Sequence, residues 1–466
     1  MAAPNTAGDV QDRQDGRETT TALIVPPASI EPRSEPADRA PQTAEDAVTI
    51  VLMGDTGMNG SDMPVRADGA YRHGRRLDVD RMLANVRSLI DGDVNIANLE
   101  TVVTDRNDIT SLAKQFNFRS HPETVRRLAG AGINVMTTAN NHAIDYGPRG
   151  MLETLTHLDR LRADGRISAH AGVGVGRAGA LVPGIAEVSG RRIAIGAIGI
   201  GGVRPSAQGP GQLSWHVAED RAGVVAALAD AGADYRVMAL HYNAEMAVRP
   251  GADDMRRLRD EIVRAGGVDL VVGHHAHVPA GVQQVDGKLI FYGLGNFLHP
   301  GMRDMAGLGP CRDYGLMARV HLRPGPDGRL VARAVEAIAL EGMHEEPRPM
   351  PPEDGALRIA ALNHLAEDLD APAAGASGVR FIVRADGTGL YCAPGADSDP
   401  GRIGALCRGS TGPSPASAAV ARRVASACGT RGAVVAAARV RPGTPARGAP
   451  AQRTSSRTLA DVMFGF

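Results

Sequence analysis

The sequence predicts an α/β fold, on three observations. Short apolar, β-branched runs recur between residues 48 and 292, amphipathic helical stretches separate several of them, and metal-competent polar residues fall just past the ends of the runs. Strands alternating with helices build helix-covered, largely parallel sheets. Such sheets bind ligands where the carboxyl ends of their strands meet the loops.

The predicted buried strands are Val48–Met53, Val94–Ala97, Ile133–Thr138, Arg192–Ile198, Tyr235–Leu240, Leu270–Val272 and Leu289–Tyr292. Brief apolar runs bounded by turn residues suit strands covered on both faces. Helical spacing marks Val79–Ile90, Pro122–Ala131, Gly150–Leu161, Ala222–Ala231 and Asp253–Ala265. Pro122 suits a first helical turn, where its missing N–H costs nothing, and Gly132 suits the position past a helix end.

Outside this region the composition changes. Residues 1–45 are rich in Pro, Ala, Thr, Asp and Arg and hold no aromatic residue. They bury too little apolar surface to offset ordering entropy, so disorder is expected. The folded domain is expected to span residues 46–345. Residues 346–466 are read as low-complexity and mostly disordered, with a short strand at Val379–Val383 and a helix at Ala416–Ala427, neither assigned to the main fold.

The bulk properties narrow the function classes. The 466 residues are 43% hydrophobic but only 3% aromatic, so aliphatic residues must build the core. Lys114 and Lys288 are the only lysines. The net charge is −1, yet residues 401–466 carry ten Arg against Asp461 alone, leaving a formal −10 on the rest (41 basic and 51 acidic residues). No basic face emerges, so nucleic-acid binding is not expected. Cys311, Cys392, Cys407 and Cys428 form no C-x-x-C pair, and neither a thiolate zinc site nor a disulfide framework is expected. No apolar stretch approaches the ~20 residues of a membrane helix. The run Ala22 to Val25 is too short for a signal peptide. The chain as written therefore reads as cytoplasmic, with envelope association if an export segment lies upstream.

The chemistry collects at strand ends. Gly54-Asp55 follows the first strand, Asn98-Leu99-Glu100 the second and Asn140-Asn141-His142 the third. His241 follows Tyr235–Leu240, and Gly273-His274-His275-Ala276-His277 follows Leu270–Val272. A lone Gly-Asp or Asn is commonly a turn, but three imidazoles in four residues after an apolar strand are costly to explain as packing. Mixed carboxylate and imidazole ligands suit Zn, Mn or Fe. Paired divalent ions need a bridging anion, commonly a carboxylate, and such pairs polarise phosphoryl oxygens and acidify water.

These segments resemble the bacterial capsule-synthesis (CapA-type) family within the metallophosphatase superfamily. The resemblance lies in GDTGMNG (Gly54–Gly60), NLETVVTD (Asn98–Asp105), FNFRSHPETVRRLAGAGINVMTTANNHAIDYG (Phe116–Gly147), LHYNAEM (Leu240–Met246), VVGHHAHV (Val271–Val278) and GKLIFYGLGNFL (Gly287–Leu298). It covers about Val48 to Leu298, and more loosely to Glu341. It implies a four-layer α/β/β/α metallophosphoesterase-like sandwich holding two divalent metal ions at one sheet edge. Carried over by position, Asp55 would ligate the first metal and Glu100 would bridge. Asn141, His241 and His275 would bind the second metal, and His277 the first. Either His274 or His275 fits its position, because the extra histidine leaves two registers. His142 would be a general acid or phosphate-orienting group. Asp145 either orients His142 or caps the next helix. Asn98 and Asn296 would shape loops.

Two departures stand out. The superfamily's Asp-x-His reads Asp55-Thr56-Gly57, so the first metal lacks one imidazole; the family's His-Trp-Gly-x-Glu reads His241-Tyr242-Asn243-Ala244-Glu245. Asn tolerates positive φ, so the loop conformation is expected to persist. Glu245 would meet a cationic substrate group or remain solvated. The resemblance implies a metal-dependent hydrolase-like protein handling an anionic capsule polymer such as poly-γ-glutamate, or a phosphoester, with capsule-assembly proteins as candidate partners. Two alternatives stay open: a non-catalytic polymer-binding subunit with a vestigial metal site, and a small-molecule phosphatase.

Overall fold

The computed structural model describes residues 47–58, 77–300, 302–410, 412–413 and 416–429. The segment 1–45 and most of the Arg-rich tail lie outside the described residues. All seven expected strands are present with slightly shifted ends: Val48–Thr56, Val94–Leu99, Val135–Thr137, Arg191–Gly199, Tyr235–His241, Leu270–His274 and Lys288–Phe291. Helices Pro122–Gly130, Gly147–Ala163 and Ala218–Ala229 match the helical spacing, and Ala252–Arg257 continues into a π-helical turn, Leu258–Val263. The expected helix Val79–Ile90 is broken into Val79–Met82 and a 3-10 turn, Arg87–Leu89. Asn85 and Val86, both weak helix formers, lie in the gap.

The strands form two large sheets. The first runs Ile382–Val383, Gly389–Cys392, Leu330–Glu341, Gly315–Pro324, Val48–Thr56, Val94–Leu99, Val135–Thr137, Ala169–Ala171, and its last four strands are parallel. The second runs Ala376–Gly378, Val282–Val285, Lys288–Phe291, Leu270–His274, Tyr235–His241, Arg191–Gly199, Gly184–Val188, with four central strands parallel. The second sheet's two hairpins turn on Ser189-Gly190 and Asp286-Gly287. All four residues have positive φ, at 48°, 73°, 50° and 80°. That two-residue turn matches the twist of the strands it joins.

Side-chain alternation sorts the sheets into layers. Ile50, Leu52, Val94 and Ile96 from the first sheet share one core with Ile193, Ile195, Val237, Leu270 and Phe291 from the second. The neighbours Val51, Met53 and Ala97 face away, onto Val125, Leu128, Leu158 and Leu161 of the helices. Ala194, Met238, Leu240 and Val271 face the other way, onto Val224, Leu228 and Ile262. Since successive residues of a strand point to opposite faces, both sheets are buried on both sides, and the result is an α/β/β/α sandwich.

The expected boundary at residue 345 is corrected by the structure. Helix Pro352–Glu367 packs Ile359 and Leu362 into the inter-sheet core and Leu357, Ala361 and Leu365 into the neighbouring helix layer. Arg358 meets the Asp313 carboxylate through two bonds of 2.6 and 3.1 Å. Strand Ala376–Gly378 joins the second sheet, and Ile382–Val383 and Gly389–Cys392 extend the first. Helix Ala418–Cys428 buries Val424 and Cys428. The expected absence of disulfides is overturned as well: Cys311 bonds Cys428 and Cys392 bonds Cys407. The region's Ala- and Gly-rich composition hid its order, because it docks on a core supplied mostly by earlier residues and is pinned by cross-links.

Glu336 helps fasten this region to the first sheet. Its carboxylate lies 3.0 Å from His321 Nε2, 3.1 Å from Arg384 Nη1 and 3.6 Å from Arg402 Nη2. Burial pushes its pKa up, but His321, Arg319 and Arg402 outweigh that and bring it to about 2, from an ordinary 4.5. A depressed carboxyl pKa stabilises the fold above its unfolded value and loses that contribution as pH falls through the folded one. Glu336→Gln is therefore expected to lower stability at pH 7 by on the order of 2 kcal/mol, after allowance for solvent screening. The deficit should shrink between pH 4.5 and 2. Denaturant melts of both proteins across that range measure it, and a deficit independent of pH would contradict it.

Candidate metal centre

The parallel strands of both sheets end on the same side, and their terminal residues meet. Asp55 closes the first strand, Glu100 lies just past Val94–Leu99, and Asn141 and His142 lie past Val135–Thr137. From the second sheet come His241 and the His274–His277 loop. Asn296–Leu298 pairs parallel with the first strand, matching Asp55 with Asn296 and Thr56 with Leu298. Close approach here requires Gly54: an added Cβ would meet Gly295 O at 2.0 Å. Asp55, Glu100 and Asn140 are wholly buried, and His142, His241, His274, His275 and His277 are nearly so.

The Glu100 carboxylate divides the cleft. Its Oε1 lies 3.3 Å from His241 Nε2, which in turn lies 2.7 Å from Asn141 Oδ1 and 3.1 Å from His275 Nδ1. Its Oε2 lies 3.5 Å from His299 Nε2 and 3.9 Å from His277 Nδ1, and His277 Nδ1 is 3.3 Å from Asp55 Oδ2. Two groups of donor atoms thus converge on the two oxygens of one carboxylate.

Backbone conformation separates His275 and His277 from His274. Four non-glycine residues near the cleft have positive φ: Asn243 at 80°, Met246 at 61°, His275 at 84° and His277 at 56°. Such conformations cost energy and concentrate where function holds them. They turn His275 and His277 toward Glu100; one ligand atom from each of these three residues lies within 4.8 Å of the others. His274 stays on its strand with Nδ1 3.1 Å from Asp55 Oδ1. Asn243 adopts the positive φ expected of it in the His241–Glu245 segment. Glu245 is half-buried and makes no hydrogen bond or ion pair among the described residues.

The amides frame the cleft. Asn98 Nδ2 donates to Asp55 Oδ1 at 2.8 Å and sits 3.2 Å from His241 Nδ1. Asn140 Nδ2 donates to Leu99 O at 2.9 Å, and Asn296 Oδ1 lies 2.9 Å from His277 Nδ1. His142 stacks on Phe118 at 3.7 Å and places Nδ1 2.6 Å from Asp145 Oδ2, with Nε2 4.0 Å from Glu100 Oε1. The next helix, Gly147–Ala163, has Tyr146 at its N-cap, so Asp145 does not cap it. Asp145 instead accepts from Phe118 N at 2.5 Å and pairs with Lys114, whose Nζ also donates to Asn141 O at 3.0 Å.

Charge and burial together favour a cation. Burial pushes Asp55 and Glu100 upward, but the surrounding histidines hold both below the ordinary carboxylate range. His277, despite burial, is raised to about 10 by Glu100 and Asp55, while burial, His241 and His277 lower His275 to about 3. Burial also lowers His142. Neither Glu100 oxygen accepts a well-aligned hydrogen bond among the described residues. A buried carboxylate left so is costly, and a divalent ion between these N and O donors would satisfy it while displacing the His277 proton. The donor set fits such ions.

His299 carries no mark in the sequence. The family-like segment stops at Leu298, and a single His before Pro300 has no spacing signal. Lys114 is equally unmarked, and Phe118, though inside the Phe116–Gly147 segment, has nothing local that ties it to Asp145.

Comparison with known proteins adds to this geometry. Residues 49–300 match the profile of the family described as bacterial capsule synthesis protein PGA_cap. The PGA biosynthesis protein CapA of Bacillus subtilis is 28% identical over 249 residues, covering 52% of this chain and 61% of that protein. A probable polyglutamine synthesis accessory protein of Mycobacterium tuberculosis is 29% identical over 230 residues, covering 44% and 55%. The chain thus matches little more than half the length of these relatives. Among solved structures, a phosphatase from Mycoplasma pneumoniae superposes with a TM-score of 0.37 at 14% identity, over 66% of this chain and 96% of that one. Among the described residues, no helix is long and apolar enough to cross a membrane.

Proposed function

The chain belongs to the bacterial capsule-synthesis PGA_cap family, and from that premise we propose that its cleft is a two-cation hydrolytic site acting in the production, release or remodelling of an anionic capsule polymer such as poly-γ-glutamate. One observation carries the reading: a buried carboxylate, Glu100, faces a separate group of ligand atoms with each oxygen. Asn141, His241 and His275 would hold one divalent ion (Mn, Fe or Zn) and Asp55 and His277 the other, with Glu100 between. Such ions, when bound, polarise an ester or amide oxygen and lower the pKa of water.

The chain's own residues do the rest. Asp145 grips His142 Nδ1 and Phe118 covers one ring face, so Nε2 is presented to the cleft for proton transfer. Lys114 ties Asp145 to the Asn141 backbone, coupling the proton-transfer group to a ligand loop. Repeated carboxylates of a glutamate polymer would suit a cationic cleft as a phosphate would. Two disulfides favour work in an oxidising compartment rather than the cytoplasm. Capsule-assembly proteins are the proposed partners.

Purified protein reloaded with Mn, Fe or Zn should hold about two equivalents per chain and hydrolyse a generic phosphodiester or the polymer. His142→Ala should retain the metal and lose 10²–10⁴-fold in kcat. The second reading, a polymer-binding subunit, is favoured by the Gly57 that stands where the superfamily has histidine. Metal-dependent polymer binding without turnover would select it, and absence of bound metal would sink the two-cation site.

A further inference from the structure

We infer that His299 is a ligand of the Asp55-side cation, supplying the imidazole that the Asp55-Thr56-Gly57 sequence lacks. The inference rests on the two-cation reading above and concerns which residues complete it. Four observations converge. First, the Glu100 Oε2 side has fewer imidazoles: His277 alone faces that oxygen from the ligands assigned above, with Asp55 beside it and His274 turned to the other Asp55 oxygen, whereas the Oε1 side has His241 and His275 with Asn141. Second, His299 is wholly buried and its Nε2 lies 3.5 Å from Glu100 Oε2, the oxygen that also faces His277 at 3.9 Å. Those separations suit ligands sharing one ion, since bonds of about 2.0–2.2 Å put tetrahedral partners a little over 3 Å apart.

Third, the topology delivers His299 to the vacated place. Asn296–Leu298 lies parallel to the first strand, and Gly57 N donates to Leu298 O at 3.0 Å. The residue after Leu298 therefore sits beside the position where Asp-x-His would put its histidine. A side chain just past the end of the neighbouring strand reaches the same corner. Fourth, the ring is held. Its backbone N donates to Met343 O at 2.7 Å, Phe118 packs edge-on at 5.2 Å and His277 edge-on at 5.9 Å.

The experiment compares the full wild-type chain with His299→Gln and His299→Asp, stripped with chelator and titrated with Mn²⁺ or Co²⁺. Calorimetry and elemental analysis read stoichiometry, and Co²⁺ absorption reads coordination. Wild type should take two equivalents. His299→Gln should keep one and bind the second at least tenfold more weakly, with altered Co²⁺ bands; His299→Asp, which restores a ligand oxygen, should recover the second. On wild type itself, deuterium exchange at the His299 ring carbon, read by peptide mass spectrometry, should slow on the second equivalent; this keeps the test decisive if a variant fails to fold. Two equivalents at wild-type affinity in His299→Gln, or unchanged His299 exchange, overturn the assignment and leave the two-cation site standing. A wild-type chain that takes up no divalent cation overturns both.

Discussion

Glu100→Gln is expected to abolish uptake of both cations and to lower any metal-dependent turnover by roughly 10³-fold or more, the several kcal/mol that paired ions contribute. The reason is positional: each oxygen of Glu100 serves a different group of donors. Stability of the metal-free protein should fall as well. The surrounding histidines hold the Glu100 pKa below the ordinary carboxylate range, so the substitution removes one partner of a buried charge cluster and should lower the unfolding midpoint at neutral pH. Wild type, in contrast, should gain about 2.7 kcal/mol per bound cation at metal concentrations a hundredfold above Kd, and the variant should gain almost nothing. Paired thermal melts with and without metal, alongside elemental analysis, measure both effects. A variant that still binds two equivalents would remove Glu100 from the bridging position.

Cutting the Cys311–Cys428 link, as Cys311→Ser with Cys428→Ser, is expected to cost about 2–4 kcal/mol. The bridge closes a loop of 117 residues. It also anchors helix Ala418–Cys428, which otherwise holds on through Val420 and Val424 and through contacts to backbone carbonyls at its end from Arg249, Arg312 and His364. Loss should therefore start locally: hydrogen exchange should rise first in residues 416–429, while the parallel strands stay protected. Removing Cys392–Cys407, which spans 15 residues, should loosen only the segment beside Leu330–Glu341. Thiol alkylation of the protein in intact cells checks the proposed compartment at the same time. Four reactive thiols in freshly quenched cells would place the chain in a reducing environment and contradict that proposal.

Much of the site is legible in the sequence, because a strand that ends in a polar loop has a local signature. Asp55, Glu100, Asn141, His142, His241, His275 and His277 each follow an apolar run, and folding brings these ends together. Other features have no such signature. That His275 and His277 face Glu100 while His274 faces Asp55 depends on positive φ at 275 and 277. Asp145's partners, Phe118 and Lys114, are 27 and 31 residues away in sequence. The region past residue 345 looks featureless as a string of residues because its few apolar side chains pack on surfaces built elsewhere.

By itself, then, the amino-acid order determined the alternation of strands and helices, the α/β class and the loops that carry carboxylate and imidazole. Those properties follow from periodicity and turn chemistry over ten or so neighbouring residues. The tertiary structure alone decided that Glu100 stands between two donor groups, that His299 lies beside one of them just past an adjacent strand, and that four scattered cysteines pair. Each depends on distances between segments far apart along the chain, which only sheet stacking and core packing set.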